Sequence, residues 1–306
     1  MKSVVAFILL SSSVVFATEP PLTSIDFSPT GQVVATSQAG VHVYSWPQIK
    51  LERTIAVRSA NLHAIRFSPD SRRFAVGGGD PAELGQVEIF NWPDGASVAS
   101  LDGHEDSVRS LVWTDDSTIV AGSLDRQVTI WNVSQPGKPT VTLNGHSRGI
   151  NAVSLLPDRK TLVTAGVDQS LRVWNSETGD LIRSMNQHTR PIHALALRSG
   201  SSGLPMMASS AADRTIRFWQ PSIGRMVRYV RLETSALDIA WLHDGVQMVA
   251  GCTDGNVRVI DTENVRVVET RGAIKGWIYA IAIHPNDSSV VVAGSNGQLK
   301  RLEFKK

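Results

Sequence analysis

The chain repeats itself about every 42 residues, and that periodicity limits its fold more than any other feature. A strand-like segment begins with the inward apolar residues Leu22, Leu62, Val108, Ile150, Ile192, Leu237 and Ile278, at steps of 40, 46, 42, 42, 45 and 41 residues. A second segment carries a large residue at a fixed place: Tyr44, Phe90, Trp131, Trp174, Trp219, Ile260 and Leu302, at steps of 46, 41, 43, 45, 41 and 42. Two independent anchors therefore agree on seven copies.

Within a copy, short strands alternate with turns such as "FSPTG", "FSPDS", "LDRQ" and "TDGN". No stretch shows helical periodicity over ten or more residues. Four short strands per copy cannot bury their apolar faces alone, so neighbouring copies must stack. The spacing predicts an all-β fold, a seven-bladed β-propeller of four-stranded antiparallel blades. It fills residues 18–306, with blades starting near 22, 62, 108, 150, 192, 237 and 278.

The segments "GHEDSVRSLVW" with "AGSLDRQVTIWN", and "GHSRGINAVSLLPD" with "TAGVDQSLRVWN", resemble WD40 repeats, with Trp-Asn in place of Trp-Asp. The resemblance is specific in copies three to five and rests on spacing in copies one, two, six and seven. It implies a propeller that presents surfaces to partners and performs no chemistry, here of an exported, bacterial type.

Copy three contains His104, Ser123 and Asp125, which invites a reading as a hydrolytic triad. The resemblance implies a structural chain instead, in which the Trp131 indole donates to Ser123, Ser123 to His104 and His104 to Asp125. Copy four keeps His146, Asp168 and Trp174 with Gly166 at the hydroxyl position. Copy five keeps His188, Asp213 and Trp219 with Ala211 there. Copies one and two place Tyr44 and Phe90 at the tryptophan position, each followed two residues later by Trp46 or Trp92. Copy six has Asp254 but Ile260. Such losses suit packing better than catalysis, and no catalytic residues are expected.

The formal charge is balanced, 30 basic against 28 acidic residues, without like-charge runs, which argues against a nucleic-acid partner. Cys252 is the only cysteine, so no disulfide framework exists. His42, His243 and His284 stand singly, and the "GGGD" at 77–80 opens no helix. No metal or cofactor is therefore expected.

Residues 1–17, "MKSVVAFILLSSSVVFA", have a basic start, a short apolar run and small residues before a cleavage-type site. They predict export, to the periplasm or outside the cell, with no membrane span. Yet "SSSVVFAT" also stands where a strand closing blade seven would lie, which would make the protein a cytoplasmic scaffold.

In the family, positions flanking the first inward residue of each copy point onto one face around the central channel. Pro21 and Thr23, Asn61 and His63, Ser107 and Arg109, and Gly149 and Asn151 hold these positions in the first four copies. Pro191 and His193, Ala236 and Asp238, and Trp277 and Tyr279 hold them in the rest. Trp277 and Tyr279 are two rings on an otherwise polar rim, the composition of an interaction hot spot, unless they pack between blades. Together with Arg109, Asn151, His193, His63 and Asp238 they are the candidate contacts for a protein partner. Copy two lengthens a turn on this face, "GGGDPAELGQV", where Asp80 is expected to hold the family's aspartate position. Copy five lengthens "RSGSSGLPMMA" on the opposite face. The expected function is a non-enzymatic interaction scaffold, a monomer or part of a larger complex. The alternative is a propeller enzyme, lactonase-like or quinone-dependent, with its site in the channel.

Overall fold

The computed structural model describes residues 19–200, 203–286 and 289–304. Seven antiparallel sheets stand around one axis, as the spacing predicts. Their inner strands are Ser24–Phe27, Ala64–Phe67, Val108–Trp113, Ile150–Leu155, Ile192–Leu197, Ala236–Trp241 and Ile278–Ile283. In six sheets, four strands follow in chain order from the axis outward. In the seventh, Ile278–Ile283, Ser289–Gly294 and Leu299–Glu303 form three strands among the described residues. Among the described residues, the only helical turns are the 3-10 turns Pro221–Ile223 and Ser295–Gly297, and no helix is long and apolar enough to cross a membrane.

The core consists of seven apolar clusters, one in each wedge between adjacent blades. Stacked sheets bury both faces of their central strands, so the second strand of most blades is apolar or small throughout. The wedge between blades seven and one joins Leu22, Ile25, Val33 and Ala35 to Ala280, Ala282, Val291 and Ala293. There the Leu22 N–H donates to the Gly294 carbonyl at 3.0 Å, so the two ends of the array meet. Residues 1–17, expected to direct export, and the alternative closing strand lie outside the described residues.

One irregularity recurs in every copy, and strict strand alternation does not anticipate it. The inner strands of blades three to seven each carry a β-bulge after their first residue, as between Ile150 and Ala152, where Ile150 pairs with Gly166 and Ala152 with Ala165. The extra residue is left without a cross-strand partner and turns toward the axis. In blades one and two, Thr23 and His63 donate their N–H groups to Thr36 and Gly77 at the same place.

The bulge breaks strict alternation in blade seven and corrects one sequence expectation, in copy six. Alternation places Ile278, Ala280 and Ala282 on one side of their strand. In the structure Ile278 packs with Ile281 against blade six, while Ala280 and Ala282 pack against blade one. In copy six the residue paired as an anchor is Ala236, opposite Cys252, not Leu237. A small anchor suits the position before it. In blades two, three and six, Gly77, Gly122 and Gly251 face large anchors, and a Cβ at Gly251 would sit 2.5 Å from Ile278 Cγ2. Blade five has Ser210 at this register position, and the next anchor is alanine.

The extra residues of copy two form no loose loop. They extend a hairpin of two eight-residue strands, Arg73–Asp80 and Leu84–Asn91.

Candidate functional site

The bulge residues converge on a cavity of about 500 Å³ at one mouth of the channel. Thr23, His63, Arg109, Asn151, His193, Leu237 and Tyr279 all line it, one from each blade. Pro21, Asn61 and Trp277, which precede their anchors, line it too, and Arg66 and Asp238 stand further along the inner strands. All seven residues named above as candidate contacts thus border one space. Ser107 does not join them, because it is fully buried and donates to the Gly79 carbonyl. Leu237 and Arg66 were missed. The first was taken for an anchor, and the second lies four residues beyond one.

Trp277 is 50% exposed and stands edge-on to Tyr279, with ring centroids 6.0 Å apart and planes at 62°. Its backbone is fixed by a bond from its N–H to Ser295 Oγ at 2.9 Å. It is therefore a rim residue and not part of the wedge between blades seven and one.

The rest of the lining mixes apolar residues, Leu62, Val153, Leu195 and Leu237 among them, with polar groups that are held across blades. Asn151 Nδ2 donates to the Ile192 carbonyl at 2.7 Å, and Thr23 Oγ1 donates to that of Leu62. Arg109 Nη1 donates to His63 Nδ1 at 3.1 Å. Burial, reinforced by the Arg109 charge, pushes His63 down to about 3 and lowers His193 as well, so both rings are neutral at ordinary pH. Asp238 is the opposite case. Burial raises it to about 6, although it accepts the N–H groups of Ile281 at 2.7 Å and Ile239 at 2.9 Å and feels the Arg66 charge. Among the described residues, no three His, Cys, Asp or Glu side chains converge as a metal would require.

A second set of polar residues lies inside the blades. In blade three the Trp131 indole donates to Thr129 Oγ1 at 2.8 Å, and Thr129 lies 2.7 Å from His104 Nε2. His104 Nδ1 stands 2.6 Å from Asp125. Since an indole only donates, the hydroxyl proton goes to Nε2 and the Nδ1 proton to the carboxylate. Ser123, expected in this chain, is outside it. Its hydroxyl donates to the Asp106 carbonyl and accepts the Asp125 N–H.

Blades four and five are complete as well, contrary to expectation. Thr164 links Trp174 to His146, and Ser209 links Trp219 to His188, at 2.7 and 2.8 Å throughout. Asp168 and Asp213 then receive His146 and His188. Both linking hydroxyls stand ten residues before their tryptophan, on the second strand. In blade three that position is Ala121, and the hydroxyl has moved to the third strand.

The sequence matches the family described as "WD domain, G-beta repeat" (WD40) at residues 95–132, 137–175, 179–220 and 231–261. The chain is a WD40-repeat propeller. Among its relatives, it is 34% identical to the 66 kDa stress protein of Physarum polycephalum over 56% of this chain and 30% of that one. It is 24% identical to WD repeat-containing protein 1 of Gallus gallus over 88% and 46% of the two chains. With the B-type cell cycle switch protein ccs52B of Medicago truncatula it shares 23% identity over 71% and 45%. The chain thus spans less than half the length of each of these relatives.

Where a WD40 blade lacks the histidine or tryptophan, other residues do the same joining. In blade six the buried guanidinium of Arg258 bonds Asp254 with both Nη atoms, at 2.7 and 3.1 Å, and reaches Thr234 and Glu233 before the inner strand. Two residues before Phe90 in blade two, the buried Glu88 accepts the N–H groups of Arg58 and Ser59, both at 2.9 Å. Asp80 does not take this role, since it lies exposed in the hairpin. In blade one His42 bridges Ser37 and Thr54. His243 donates to the His284 carbonyl, and His284 stacks on Trp46, so these histidines serve packing.

Proposed function

We propose that this WD40 propeller is a non-enzymatic platform that binds a protein partner over the channel mouth, with Trp277 and Tyr279 as its aromatic anchor. The observation that carries this is a half-exposed indole held edge-on to a second ring at the rim of a cavity of mixed polar and apolar lining. Large rigid rings bordered by hydrogen-bonding groups give contact area at little entropic cost. The titratable groups of the cavity favour binding over chemistry. His63 accepts a bond from Arg109, burial lowers both it and His193 so that neither ring is charged at ordinary pH, and Asp238 spends both oxygens on backbone N–H groups. The basic start, apolar run and small-residue site of residues 1–17 support export of the protein, and N-terminal sequencing of the mature chain tests that.

Affinity capture with the wild type and with Trp277→Ala tests the platform. Proteins retained by the wild type and lost by a variant of unchanged melting temperature support it. An identical set on both columns would overturn it.

A further inference from the structure

Arg109 is recessed in the cavity wall and forms no ion pair among the described residues. Its bonded neighbour is the neutral His63, and the opposite charge that acts on it is that of Asp106, whose Oδ1 already accepts the N–H groups of Ala82 and Ser107. Arg66 is different, because its charge is set against Asp26 and Asp238. The two carboxylates are each fixed by two backbone N–H groups, those of Phe27 and Phe67 on Asp26 and of Ile239 and Ile281 on Asp238. Among the described residues, the Arg109 guanidinium is therefore a cavity charge that no carboxylate contacts.

The hydrogen bond between Arg109 and His63 also fixes a tautomer. A guanidinium can only donate, so His63 Nδ1 accepts, and the neutral ring carries its proton on Nε2. His63 thus keeps one N–H donor and Arg109 keeps its remaining fork, a set that suits a carboxylate.

We infer that the channel mouth takes an acidic side chain, Asp or Glu, from an exposed segment of a protein partner, with the carboxylate paired to Arg109 while a neighbouring apolar residue rests on Trp277 and Tyr279. This rests on the platform reading and adds the chemistry that would be recognised. A cavity of about 500 Å³ admits one or two side chains, not an element of secondary structure.

The test is selection of a displayed library of random dodecapeptides on the wild type, Arg109→Gln and Trp277→Ala. The wild type should enrich peptides with Asp or Glu at one fixed position next to an apolar residue, and Arg109→Gln should lose that enrichment. A selected peptide carrying a Glu→Gln change should bind the wild type about tenfold or more weakly and Arg109→Gln no differently, as expected for one charge-assisted pair. The peptide change on the unaltered protein reads the charge even if the arginine variant fails to fold. Peptides that need Trp277 but carry no acidic position, or an acidic preference that survives Arg109→Gln, overturn this inference alone. An empty selection, or peptides bound equally by Trp277→Ala, overturns the platform reading and this one with it.

Discussion

Trp174 and His146 are joined through a single hydroxyl, Thr164 Oγ1, which lies 2.8 Å from the indole nitrogen and 2.7 Å from the imidazole Nε2. The same junction in blade three uses Thr129, from another strand. The chemistry is thus set by where a hydroxyl can stand between two rings, not by one sequence position.

Relocating that hydroxyl should therefore work. Thr129→Val leaves a buried indole N–H and an imidazole nitrogen unpartnered and should cost about 2 kcal/mol, read by chemical denaturation. Adding Ala121→Ser places a hydroxyl where blade five has Ser209, and should return at least half of the loss. No recovery would mean that blade three cannot accept the second-strand arrangement.

In blade six, Arg258 holds Asp254 with two hydrogen bonds while only 3% of its side chain meets solvent. Arg258→Met keeps much of the apolar stem but strands the carboxylate, and should destabilise by about 3 kcal/mol. Asp254→Asn should cost less, because the amide still accepts one bond and the exposed Glu233 remains beside the guanidinium. Equal losses would argue that burial of the stem matters more than the pair.

Two tryptophans of similar size should behave oppositely. Trp219 is fully buried between blades four and five, and Trp219→Ala should cost about 4 kcal/mol. Trp277→Ala removes a half-exposed ring and should change stability by less than about 1 kcal/mol. Parallel thermal melts check both. A large loss at Trp277 would place it in the core and remove the basis for an anchor there.

The seven blades were legible because strand and turn signals are local and recur at a near-constant step. The lining of the channel mouth was legible in outline for the same reason: Arg109, Asn151, His193 and Tyr279 follow their anchors in sequence. What escaped was non-local. A bulge changes no residue type, so Leu237 looked like a core anchor although Ala236 holds that place. The distance from Ala236 to Ile260, 24 residues as from Ile150 to Trp174 and from Ile278 to Leu302, was the available signal. The hydroxyls were missed because Ser123 lies near Asp125 in sequence, while Thr164 and Ser209 meet their tryptophans only through cross-strand pairing. Nothing in the residue type marks Glu88 or Arg258 as a joining group, because each acts through a side chain long enough to reach the neighbouring loop.

Asp238 gives the propeller a pH dependence whose sign follows from its direction. Burial raises its folded value to about 6, above the ordinary 3.8, so the folded protein holds a proton there that the unfolded chain has released. This contribution to stability is complete below about pH 4 and lost as pH rises through 6. His63, His188 and His193 act the other way, since burial lowers each of them and the unfolded chain takes up their protons first on acidification. The difference between the wild type and Asp238→Asn isolates the carboxylate, because the histidines are common to both. That difference should shift against the wild type by about 2 kcal/mol between pH 4 and pH 7.5, measured by urea denaturation at each pH. A constant difference across that range would show that the N–H groups of Ile239 and Ile281, with Arg66, fully offset the burial of the charge.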